Sequence, residues 1–370
     1  MGKTRTAAVG LGITLAAALG VLGPGTAAAG ATSAASAAAT DVTVVARGLD
    51  APYGLQFFGE HALVVTEGSA GDVTQVNTAT GAQRTLLKRL ASPAGVGVRH
   101  GRLYVALGES QPDQPPTAPK PVFRGATVVT SRMDGSQPRV LADLLAYERR
   151  VNPDGQVQFV GGKPVDALAN PFSLHVSGYG VLVADGGANA VLRVDPATGR
   201  TRTFFVPPTI TTGACATRPN NAGTFGCDSV PTGVTVARGS IYVSTLGSES
   251  PGAARVYRLD PRNGRVLQTW GGLTGLTGVA VAPDGTVYAS EVLEGMPQTD
   301  GPPPPGFDPS TVGRIVRIEP NGRRTHAQVT MPTGLTWHDG ALHASAWSIA
   351  GFMGMQHAGQ VVRVPAGAFR

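Results

Sequence analysis

Short runs of alternating apolar and polar residues, each bounded by glycine-rich turns, recur along this chain from residue 42 to residue 364. The clearest copy reads Asn170-Pro171-Phe172-Ser173-Leu174-His175-Val176, a turn through Gly178 and Gly180, then Val181-Leu182-Val183-Ala184-Asp185 and, after a Gly-Gly turn, Ala190-Val191-Leu192-Arg193-Val194-Asp195. β-Branched and aromatic residues in period two, punctuated by such turns, predict strands joined as hairpins. A Pro/Thr-x-Gly phrase opens each copy, near Pro52, Pro93, Pro171, Pro231, Leu276 and Pro332. Each copy supplies three strands, and a fourth comes from the segment before the next copy, such as 201–206 or 265–270.

Repetition at roughly 40–60 residues marks units that cannot bury their apolar faces alone. Four antiparallel strands repeated six times predict an all-β fold, a six-bladed β-propeller of four-stranded antiparallel blades. The last copy ends at Gln360-Val361-Val362-Arg363-Val364 without a fourth strand, while Asp41-Val42-Thr43-Val44-Val45-Ala46 is a strand without a partner. Joining the N-terminal strand to the last blade would remove the remaining open sheet edge. The connections 108–125, 141–168, 207–230 and 293–312 exceed what a plain blade needs, and long loops of this kind are functional or disordered. They are expected to cover one face of the disc, with a short helical stretch at 141–151.

The first forty residues read differently. Lys3 and Arg5 precede an apolar run from Ala7 to Leu22, followed by small residues through Ala29 and again through Ala39. This is the pattern of a secretory signal and linker over 1–40, cut near Ala29 or Ala39, ahead of a single domain over 41–370. The run is too short and glycine-rich for a membrane span. A released, extracellular, monomeric protein is expected. Removing the signal leaves 28 of 30 basic residues and all 24 acidic ones, without runs. That dispersed surface lacks the clustered stripe of a nucleic-acid binder. Cys215 and Cys227 share one polar loop, and in an oxidising compartment they are expected to form a disulfide. Their spacing fits neither a Cys-x-x-Cys redox pair nor a zinc site.

Certain residues carry a family resemblance. Glu148, Asn152-Pro153-Asp154-Gly155, Asp166, Asn170-Pro171-Phe172, Val183-Ala184-Asp185-Gly186-Gly187-Ala188-Asn189, Val230-Pro231-Thr232-Gly233-Val234 and Gly252-Ala253-Ala254-Arg255-Val256-Tyr257-Arg258 resemble the ScyD/ScyE family of secreted bacterial propellers. The family is related in architecture to NHL-repeat and gluconolactonase-like propellers. The resemblance spans 42–364 and implies fold and secretion, with no settled activity. Two departures are the looser spacing between Asp166 and Asn170 and the added cysteine loop.

Propellers of the lactonase and phosphotriesterase type hold a divalent cation at the mouth, where the innermost strands begin. The corresponding residues here are Tyr53, Ala94, Phe172, Thr232, Thr277 and Thr333. A hard cation needs several oxygen ligands with charge among them, so these residues predict a binding mouth without catalysis. In this reading Tyr53 and Phe172 give apolar surface, Thr232, Thr277 and Thr333 give hydroxyls, and Asn170 stands one residue away. The ligand would be a small molecule or an extracellular protein, and no cofactor is required. The alternative is a metal-dependent hydrolase or lyase using Glu67, Asp185 and Glu291 at the ends of second strands, with calcium as the ion. Against it, such acids commonly accept hydrogen bonds from neighbouring turns. A lyase would need a histidine beside a carboxylate, which His343 or His357 near Glu67 could supply. No Gly-x-Ser-x-Gly or His-Glu-x-x-His motif occurs. A third possibility is a cell-envelope scaffold.

Overall fold

A computed structural model describes residues 41–109, 120–160, 163–165, 168–221, 223–297 and 303–370. Residues 1–40, expected above to be a signal and linker, lie outside the described residues, as do Asp166 and Pro302. Six four-stranded antiparallel sheets form the blades of a propeller. Blade 1 runs from the innermost strand Pro52–Phe57 through Ala62–Glu67 and Asp72–Asn77 to Gln83–Leu87. The innermost strands of the next four blades are Pro93–Arg99, Pro171–Ser177, Pro231–Ala237 and Leu276–Val281, and that of blade 6 is Leu335–His338. Blade 6 takes its outer strand, Thr43–Leu49, from the other end of the sequence, paired antiparallel with Gly359–Val364.

Burial explains the strand patterns. The second strands, such as Gly180–Asp185 and Ser240–Thr245, are almost wholly buried between neighbouring blades. They therefore read as continuous apolar or small-residue runs, as strands covered on both faces do. The outermost strands face water, and Val266–Leu273 is largely exposed. The core is divided among the seams: Leu182 and Val191 of blade 3 pack with Ile241, Val243 and Leu259 of blade 4.

The recurrent glycine of the opening phrase has a steric cause. A Cβ on Gly278 would lie 2.1 Å from the Thr333 carbonyl oxygen, and one on Gly334 would lie 2.2 Å from that of Tyr53. Blades converge there until backbone touches backbone, and only glycine fits. Blade 3, with Ser173 at this position, is the exception.

Long connections leave from the end of the disc where the innermost strands begin, called the mouth face below. They are 108–126, 144–170, 206–230, 292–313 and 347–358. The helical stretch is Leu144–Val151, three residues later than expected at its start because Arg139–Asp143 completes blade 2. Asp143 caps it by accepting from the Ala146 N–H, and Asn152 ends it in the left-handed region at φ 44°. A small hairpin, Gln158–Val160 with Lys163–Val165, follows. In the loop before blade 4, Cys215 and Cys227 are joined by a disulfide with Cα atoms 5.2 Å apart, and both are buried.

Candidate functional site

The structure brings two of the expected mouth residues together. The Tyr53 and Phe172 rings, from blades 1 and 3, meet with centroids 5.7 Å apart and planes tilted by 57°. Gly68 makes room for this arrangement, since a Cβ there would stand 2.2 Å from the Tyr53 ring. Burial pushes the Tyr53 phenol up to about 12, so it stays neutral. A cavity of about 290 Å³ along the axis is lined by innermost-strand residues including Gly54, Gly95 and Gly233.

The three threonines do not offer hydroxyls to a ligand, which corrects the sequence expectation. Each is buried and donates across a seam: Thr232 to the Leu276 carbonyl at 2.6 Å, Thr277 to Pro332 at 3.0 Å, and Thr333 to Pro52 at 3.0 Å. A second set starts one strand out, with Thr66 donating to Ala94, Ser290 to Thr333 and Ser345 to Tyr53. These hydroxyls staple blades 4, 5, 6, 1 and 2 in succession. Blades 2 and 3 carry Ala94, Ala106, Phe172 and Ala184 at the matching positions. Asn170 also serves the framework, because its Oδ1 accepts the Glu109 N–H at 3.1 Å.

The three candidate metal ligands are fasteners as well. Glu67 accepts from the Asp50 N–H at 2.8 Å and from the Thr74 hydroxyl. Asp185 accepts from the N–H groups of Asn170 and Ala188. Glu291 accepts from the Thr274 N–H at 2.7 Å and is ion-paired with Arg314. Each therefore ties down the chain entering its own blade. Among the described residues, no three His, Cys, Asp or Glu side chains gather as a metal-holding group. His357 pairs with Asp50 at 2.8 Å rather than with Glu67. His343 edges against Phe57, and burial, with Arg363 nearby, lowers it to about 4.

Two features of the mouth face were not anticipated. One is apolar. Val292, Val312, Met331, Ile349 and Ala350 form a cluster packed by Tyr53, Met296, Phe307, Trp347 and Met353. Phe352 and Met355, in the same loops, are exposed. Four of the chain's six methionines lie here, a composition suited to adaptable apolar contact. Clustering of methionine in 296–355 was the available sequence signal.

The other feature is acidic. Glu148, 2% exposed, and Asp185, wholly buried, each hold a carboxylate oxygen with no hydrogen-bond partner, as do Asn152 Oδ1 and Asp154 Oδ2 nearby in sequence. Burial, then the charges of Asp185 and Asp154, pushes Glu148 up to about 9. Burial outweighs the hydrogen bonds to Asp185 and raises it to about 7. Glu148 is thus a neutral carboxylic acid at pH 7. Only its membership of the Glu148–Gly155 connector marked it in the sequence.

No family model matches the chain, and no curated protein matches it. Among solved structures it is similar to a luciferin-regenerating enzyme (TM-score 0.55, 8% identity, 89% of this chain and 96% of that one). It is also similar to a gluconolactonase from Xanthomonas campestris (0.54, 13%, 88% and 89%) and to the calcium-binding protein regucalcin from Agrobacterium tumefaciens (0.53, 9%, 88% and 93%). At these identities the likeness shows the propeller fold.

Proposed function

We propose that this chain is a secreted propeller of the ScyD/ScyE type that binds a small apolar or planar ligand at its mouth, without chemistry of its own. The observation that carries this reading is the apolar cluster that joins Tyr53 to the methionine-rich loops, in which Phe352 and Met355 are exposed. The Tyr53–Phe172 pair adds aromatic area beside it, and exposed apolar surface rimmed by loops marks binding sites. The disulfide fits an oxidising compartment, and no helix among the described residues is long and apolar enough to cross a membrane.

The test uses the neutral dye Nile red as the probe. Fluorescence should rise saturably with the wild-type chain and fall at least tenfold in affinity with Phe352→Ser/Met355→Gln or Phe172→Ala, circular dichroism being unchanged. Equal dye binding by all variants would sink the assignment.

The runner-up is an extracellular calcium-dependent hydrolase or lyase. It is favoured by the partnerless buried oxygens of Glu148 and Asp185, two acids near enough for the charge of Asp185 to raise Glu148, since buried acceptors without donors are what a hard cation needs. Calorimetric titration with calcium decides it. Stoichiometric binding abolished by Glu148→Gln supports this reading, and no heat of binding removes it.

A further inference from the structure

A concavity of about 670 Å³ lies on the face opposite the mouth, at the seam of blades 2 and 3. Its walls carry Arg99 and His100 from blade 2 and Arg193, Arg200 and Arg202 from blade 3, with Tyr179 at a hairpin tip. Asp195 is the one carboxylate in this lining. It forms no ion pair with these arginines among the described residues, and its Oδ1 accepts the N–H groups of Ala197 and Thr198 in its own turn. None of the four arginines has an acidic partner among the described residues.

The strand register makes this crowding unfavourable as it stands. Arg193 is directly opposite Arg202 in the sheet, and like charges facing one another across strands are destabilising. Burial, then the charge of Arg202, lowers Arg193 from its usual range. Arg193 is held towards blade 4. Its guanidinium lies 4.3 Å over the Phe204 ring and donates from Nη2 to the Pro261 carbonyl at 2.8 Å, while Nε is buried without a partner. Arg99 reaches the cleft from the neighbouring blade, and a Cβ on Gly178 would touch its two terminal nitrogens at 3.9 Å. Burial, then the charge of Arg99, lowers His175 to about 4, so it adds no charge.

We propose that this cleft binds a small organic anion, with Arg99, Arg200 and Arg202 gripping its phosphate or carboxylate oxygens beside the Arg193 guanidinium, which stays on Phe204 and Pro261. Guanidinium groups suit this task because they present paired donors to oxyanions. A volume of this size is that of a small-molecule pocket, and Tyr179 offers an aromatic edge to the rest of the ligand. The site shares no residue with the mouth and stands independently of the function proposed there.

Calorimetry on the full chain in low-salt buffer tests this, with inorganic phosphate and citrate as separate probes. Saturable binding of either is expected, and the tighter of the two identifies the anion class. Arg99→Ala and Arg202→Ala should each weaken it at least tenfold, whereas Arg84→Ala, in blade 1, should leave it unchanged. Arg202→Gln should also raise the thermal midpoint without ligand by relieving Arg193, and added anion should raise the wild-type midpoint more than the variant's. Absence of binding by both probes, equal binding by all variants, or capture of heparin alone would overturn the proposal.

Discussion

The Thr333 hydroxyl donates to the carbonyl oxygen of Pro52 at 3.0 Å, across 281 residues of sequence. It also meets Ser345 Oγ at 2.9 Å and Ser348 Oγ at 2.8 Å, all out of reach of water. One hydroxyl therefore satisfies groups from the last blade and the first. Thr333→Val keeps the shape and strands these partners. A buried polar group left unpaired costs about 1–3 kcal/mol. Urea denaturation should show a loss of that order, and an unchanged midpoint would mean that the seam relaxes without it.

Gly334 should be less tolerant than its exposure to the channel suggests. Its missing Cβ would sit 2.2 Å from the Tyr53 carbonyl oxygen, whereas a Cβ on Gly59 would meet only the Ala62 side chain at 3.6 Å. Gly334→Ala is expected to destabilise by about 1–3 kcal/mol or more through overpacking against backbone. Gly59→Ala should be close to neutral. Equal thermal midpoints for the two variants would contradict the account of why the phrase repeats.

Stability should fall as pH rises from 7 to 9. Glu148 goes from its ordinary 4.5 to about 9 in the folded protein. Between those values the folded state holds a proton that the unfolded state has released. By linkage the contribution is complete below pH 4.5 and is lost as pH climbs through 9. Asp185, raised from 3.8 to about 7, adds a decline over its own lower window. Below pH 7 the neutral His175 and His343, lowered by burial from 6.5 to about 4, oppose this decline. Urea midpoints should therefore decrease from pH 7 to pH 9, and Glu148→Gln should flatten that slope. A variant as steep as the wild type would place the titration elsewhere.

Reduction should loosen one loop rather than the wheel. Cys215 and Cys227 are separated by 12 residues, and closing a loop of this size constrains the unfolded chain by roughly 3 kcal/mol. Cys215→Ser/Cys227→Ser is expected to lower the denaturation midpoint while leaving the far-ultraviolet spectrum unchanged. Loss of the spectrum would show that the loop is needed for blade 4 to form.

The wheel itself was legible because its cause is local. Period-two alternation sets each strand, and the glycine after the opening residue records backbone contact between blades. The threonines were misread for a related reason. Alternation tells which side of a strand a residue occupies, but not that a neighbouring carbonyl waits on that side, as Leu276 does for Thr232. The cleft was out of reach altogether. Arg99 and Arg202 belong to different blades, and no spacing rule links them. Glu148 and Asp185 likewise lie on a helix and a strand whose meeting is set only by tertiary packing.

The arrangement of the sixth blade bears on the order in which this protein assembles. Strand Thr43–Leu49 must wait for Gly359–Val364 before it has anything to pair with, and the Asp50 carboxylate accepts the His357 N–H from 307 residues away. Contacts so distant in sequence are slow to form. During synthesis the earliest strand emerges long before its mate. Thr43 and Arg47 on its outward side are exposed in the finished wheel, which suits a segment that has to spend that interval in water without sticking to its neighbours.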